Sequence, residues 1–130
     1  MTKEEVKIFL IKLFPDFSEV WASNDNLFIN EDGSYTYHGL FSEFSNYFRD
    51  NFKNFSDDQL RILFSNIEKW EVQETATLEE WRAGQVDDAQ QLSNAVFTCF
   101  LENIAGEGLT ERIKLFMGKK SLEYYLHYDH

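Results

Sequence analysis

Apolar residues recur at intervals of three and four along most of the chain, the period of helices that turn one face to a core. Val6, Phe9, Leu10 and Leu13 form the first stripe, opened by the capping box Thr2-x-x-Glu5 and closed by Pro15. Ile8 and Ile11 lie off that stripe and predict cover on a second side. Phe17, Val20 and Trp21 predict a short second helix over 16–23. The pattern then breaks: Glu31-Asp32-Gly33-Ser34 is a turn signal between Leu27-Phe28-Ile29 and Tyr35-Thr36-Tyr37, compatible with either a small hairpin or an ordered loop over 27–37. From Gly39 the helical period returns. Leu40, Phe44, Phe48 and Phe52 step by four into a ridge flanked by Phe41 and Phe55, a core-packing pattern.

Ser56 with Gln59 is a second capping box, and Leu60, Leu63, Phe64, Ile67 and Trp70 carry a helix from Asp57 to about Gln73. Thr77 with Glu80 repeats that grammar over a shorter unit whose large apolar groups are Leu78 and Trp81, with Gly84 as its stop. Residues 85–105 hold Leu92, Val96, Phe97, Cys99, Phe100, Leu101 and Ile104, apolar nearly all round in the second half, as in a buried helix. Gly106-Glu107-Gly108 closes it; a short helix over 109–117 and a last one through Leu122, Tyr125 and Leu126 follow. The expectation is one all-α domain over 1–130, a bundle of about seven helices around a buried, sequence-late central helix. Asn94 and Asn103 on that helix need polar partners, most simply an orphan backbone group of a neighbouring helix end or turn.

Composition adds material for that core: 13 Phe, 6 Tyr and 3 Trp in 130 residues exclude disorder. Charge changes the picture more. The net charge is −11, and it is concentrated. Asp16, Glu19, Asp25, Glu31, Asp32 and Glu43 stand between Leu13 and Phe48 with no Lys or Arg, and Glu71, Glu74, Glu79, Glu80, Asp87 and Asp88 face Arg82 alone. The rest of the chain is balanced. Helix capping and ordinary solubility account for part of this, since Asp57, Asp58, Asp87 and Asp88 suit helix first turns. The balance argues against nucleic acid and anionic membranes as ligands. No apolar run approaches the ~20 residues of a membrane span, and the start of the chain, acidic then amphipathic, reads as neither signal nor transit peptide. Cys99, the one cysteine, excludes a disulfide frame and points to a reducing cytosol.

Chemical signatures are sparse. His38, His127 and His130 form no ligand spacing beyond the C-terminal pair, and phosphate loops, nucleophile elbows and zinc motifs are missing from the sequence. Cys99 reads as a buried structural thiol. Nothing selects a catalytic carboxylate pair, so the expectation is a protein without enzymatic activity, cofactor or metal.

The segments Leu13-Phe14-Pro15-Asp16-Phe17, Phe41-Ser42-Glu43-Phe44, 94–104 (Asn-Ala-Val-Phe-Thr-Cys-Phe-Leu-Glu-Asn-Ile) and 118–125 (Gly-Lys-Lys-Ser-Leu-Glu-Tyr-Tyr) together resemble a family of small bacterial helical proteins. Members of that family are often proposed to be immunity proteins of polymorphic toxin or contact-dependent growth inhibition systems. The resemblance implies a cytoplasmic antitoxin, monomeric when free and heterodimeric with a basic toxin, foremost a ribonuclease. It carries over no catalytic residue, and the segment 71–88 has no counterpart in it. Charge and resemblance together place the expected contact on Glu71, Glu74, Glu79, Glu80, Trp81, Asp87 and Asp88, with Asp25, Glu31 and Asp32 as a second patch. Two other classes stay open: a regulatory or scaffold protein, homodimeric through exposed aromatics, and a small hydrolase with a raised-pKa carboxylate in a cleft.

Overall fold

The Thr2 hydroxyl accepts from the Glu5 amide at 3.2 Å and Glu5 Oε1 from the Thr2 amide at 3.3 Å, so two of the orphan donors at the chain's first helix end are satisfied. Helix α1 runs Lys3–Leu13 from that box. The computed structural model describes residues 2–71, 77–106 and 110–128, and every regular element among them is helical. Helix α2 spans Phe17–Trp21. Residues 22–36 follow as an ordered loop without strands, in which Asn30 and Ser34 pair (N to O 2.8 Å) around Gly33, whose φ of 84° favours glycine. The loop alternative of the sequence therefore holds over the hairpin.

Helix α3, Tyr37–Asn51, begins two residues earlier than its apolar pattern shows, because Thr36 caps the Gly39 amide at 2.9 Å. A 3₁₀ turn, Phe52–Asn54, leads to the Ser56–Gln59 box and to α4, Asp57–Trp70. Gln73, the expected end of that helix, lies outside the described residues. Helix α5, Leu78–Arg82, opens on the Thr77–Glu80 box. The central helix α6 is continuous from Asp88 to Ile104, with an α-helical part Asp88–Ala95, a π-helical stretch Val96–Leu101 and a last turn Glu102–Ile104. Asp87 is its N-cap, bonding the Gln90 amide at 2.8 Å, rather than a first-turn residue. Helix α7 covers Thr110–Ile113 and stops short of the expected end at Met117, while Leu109, its expected start, lies outside the described residues; α8 covers Lys119–Tyr128. The domain is thus an all-α bundle of eight helices among the described residues.

Its core is aromatic. Leu40, Phe44 and Phe48 are fully buried, and Phe100 of α6 stands against Phe41, Phe44, Phe48 and Phe64 with ring centroids 5.2–6.5 Å apart. These contacts also give the topology. Early α3 meets mid α6 through His38 and Asn94, and late α3 meets late α6 through Arg49 and Asn103 (3.1 Å), so the two helices lie side by side and parallel. Helix α1 runs the same way, its first turn against Tyr35 and its end against Phe55. Helix α4 returns antiparallel, Gln59 binding the Leu13 carbonyl at 2.9 Å and Trp70 reaching Phe9 and Phe41.

Three expectations are corrected. Ile8 is 43% exposed, so the second side of α1 is only partly covered. Cys99 is half-buried rather than enclosed, with Thr98 Oγ1 3.6 Å from its sulfur. Asn103 is exposed, and its amide donates to the Cys99 carbonyl of its own helix (2.8 Å) and to the Ser45 hydroxyl in the middle of α3 (3.4 Å) rather than to an orphan backbone group at a neighbouring helix end; Thr98 Oγ1 donates likewise to the Asn94 carbonyl (2.8 Å). Both carbonyls border or lie within the π stretch, where the ladder register shifts and side chains one turn on serve the backbone.

Candidate functional site

Parallel packing gathers the N-termini of α1, α3 and α6 at one end of the molecule. Tyr37 marks the meeting point: its hydroxyl is held above the usual tyrosine range by burial first, then by Asp88 of α6 and Glu5 of α1. Tyr35 beside it donates to Glu4 at 2.6 Å, and its pKa is pushed far up by burial and by that carboxylate. Glu4 in turn lies low, through the Tyr35 hydroxyl and then Lys7 at 2.9 Å. The positive ends of three helix dipoles therefore share this pole with carboxylates, each exposed first-turn acid contributing about 0.3–1 kcal/mol.

Two further pieces of chain settle on the same pole. The 22–36 loop lays Phe28 against Gly39, close enough that a Cβ there would stand 3.0 Å from the Phe28 Cβ. Helix α5 docks through Trp81, whose ring meets His38 edge to face at 5.8 Å, while His38 Nε2 donates to Asn94 Oδ1 at 2.7 Å. Both acidic segments, remote in sequence, thus flank the first turn of α3.

The expected contact residues divide by what else they do. Asp25, Glu31, Glu79 and Asp88 are exposed, and no hydrogen bond or ion pair among the described residues holds their carboxylates. Glu80 and Asp87 are tied into capping boxes. Asp32 accepts from the Ser34 hydroxyl (2.6 Å) and amide (2.9 Å), which lowers its pKa and shapes the turn. Trp81 is half-buried and anchors α5. Glu74 lies outside the described residues, as does His130. Glu71 does not belong to this surface. It is 2% exposed and faces α8, where Ser121 Oγ sits 2.5 Å from its Oε1. Sequence reasoning counts its charge correctly but cannot see that α8 closes over it.

Composition also hid two apolar groups. Leu27 is 88% exposed in the loop and Leu78 is 64% exposed on α5, so the acidic pole carries bare apolar side chains at both of its acidic segments. An open groove of about 610 Å³ lies elsewhere, between α4 and the 116–120 stretch, lined by Arg61, Phe64, Lys69, Phe116, Met117 and Lys120 among others. Among the described residues no cluster of three metal-ligating side chains forms, and no helix is long and apolar enough to cross a membrane. No protein family, curated protein or solved structure matches the chain.

Proposed function

We propose that this protein is a binding protein of the immunity class, which neutralises a basic toxin domain, foremost a ribonuclease, by laying its acidic pole over the toxin's substrate cleft. The observation that carries this reading is the convergence of the two acidic segments on the first turn of α3, with Leu27 and Leu78 exposed beside Asp25, Glu31 and Glu79. Carboxylates can stand where a nuclease binds phosphates, and opposite fields raise association rates by ~10–10³ fold. Apolar side chains at the centre of such a contact supply the slow dissociation. The protein contributes no chemistry of its own in this reading.

The test is co-expression with the toxin domain encoded immediately upstream, scored by growth and by association kinetics. The variant Glu31→Lys, Glu79→Lys, Asp88→Lys leaves the capping residues Glu80 and Asp87 in place and is expected to fold normally. It should associate at least tenfold more slowly and lose protection. Full protection by that variant would remove the acidic pole from the mechanism, and lack of protection by the native protein would remove the immunity reading.

A further inference from the structure

Glu68, on the last turns of α4, reaches across to the first turn of α8. Its Oε1 accepts from the Lys120 amide at 2.8 Å and its Oε2 from the Ser121 amide at 3.1 Å and the Ser121 hydroxyl at 3.0 Å. One carboxylate from another helix thus caps α8, and its pKa is held low by those bonds despite the opposing effect of burial. Ser121 Oγ also lies 2.5 Å from Oε1 of the buried Glu71, whose Oε2 has no hydrogen-bond partner.

Ser121 has one hydroxyl proton and stands between two carboxyl oxygens. If both acids were ionised, one of these two short contacts would join lone pairs only. A second proton on the Glu71 side resolves the count: Glu71 Oε1–H donates to Ser121 Oγ, and Ser121 Oγ–H donates to Glu68. Burial, with Glu68 adding to it, raises Glu71 to about 8 against the opposing Ser121 bond and Lys120. The charged groups facing Glu71 among the described residues are Glu68 on its own helix and Lys120 on α8, whose ammonium binds the Glu71 carbonyl at 2.7 Å.

We propose that Glu71, Ser121 and Glu68 form a proton-linked latch, in which the proton on Glu71 keeps the first turn of α8 fastened to α4 and its loss lets that turn open. With Glu71 ionised, two carboxylates compete for one hydroxyl, and the buried one is left without a donor. Opening of α8 gives Glu71 water and frees the Lys120 and Ser121 amides. The folded pKa lies above the ordinary 4.5, so the latch is fully stable below that value and weakens as pH rises towards 8.

The test is amide hydrogen exchange between pH 5.5 and 9, with a ¹³C titration of the Glu71 carboxyl. In the native protein the protection factors of the Lys120 and Ser121 amides should fall about tenfold for each pH unit up to pH 8, and the carboxyl should titrate near 8. In Glu71→Gln, whose amide can donate to Ser121 as the neutral acid does, those protection factors should become flat with pH. A carboxyl that titrates near 4.5 would overturn the latch. So would native protection factors that stay level from pH 6 to 9, the result expected if Lys120 simply swings onto the ionised carboxylate. Should Glu71→Gln fail to fold, the two measurements on the native protein decide the matter alone.

Discussion

A methyl group at residue 118 would overlap the Glu68 side chain, which is why a glycine stands there although its φ is not in the left-handed region. Gly118→Ala should therefore cost about 1–3 kcal/mol in urea unfolding, the range for forcing extra volume into a packed site. Gly84→Ala should cost less, because open space surrounds that position and only its φ of 69° opposes a side chain. Sequence reading separates the two glycines poorly. It takes Gly84 correctly as a helix stop from its local setting, whereas the reason for Gly118 is a side chain fifty residues away. Asn103 has the same lesson in miniature: its need of a polar partner is legible, but the closer partner is a carbonyl at the π stretch, and a shift of helical register leaves no mark on an apolar stripe.

Among the elements, helix starts were the most legible feature, because a capping box is written in four consecutive residues. The boxes at Thr2, Ser56 and Thr77 all form. The apolar period places the start of α3 two residues late, because Thr36 caps without a reciprocal Glu or Gln at residue 39, which is glycine. Helix α5 depends on its box more than any other, since none of its residues is buried and Trp81 is its main attachment. Thr77→Ala removes the cap, worth about 1 kcal/mol, and a five-residue helix has little else to oppose fraying. The variant should release Trp81 from His38, seen as a red shift in tryptophan emission, while global unfolding of the α3–α4–α6 core moves little. An unchanged spectrum would mean that the ring contact alone holds α5.

For the whole molecule, composition gave the net charge and its two segments, but the gathering of those segments at one pole comes from the parallel course of α1, α3 and α6. Helix direction is decided by which apolar faces meet, and no local pattern records it. Part of the acidity is internal in purpose: Glu4, Glu5 and Asp88 occupy helix first turns, and Glu68 and Glu71 serve α8. Of the expected contact residues that are described, only Asp25, Glu31, Glu79 and Asp88 have carboxylates held by no hydrogen bond or ion pair, so the surface left for a partner is smaller than the two acidic segments imply.

The parallel course also bears on how the chain reaches this state. Two adjacent helices that point the same way need a long return path, and here α3 cannot meet α6 until everything from 52 to 87 has been laid down between them. Antiparallel α4, by contrast, follows α3 after a single short turn. Contacts that close long loops form late because their entropy is lost before their energy is gained. Phe64 and Phe100 both stand against Phe48, one from α4 and one from α6, and stopped-flow folding should tell them apart. Phe64→Leu is expected to slow folding, whereas Phe100→Leu is expected chiefly to speed unfolding. The bundle would then assemble around an early α3–α4 pair, with α6 sealing the aromatic centre last.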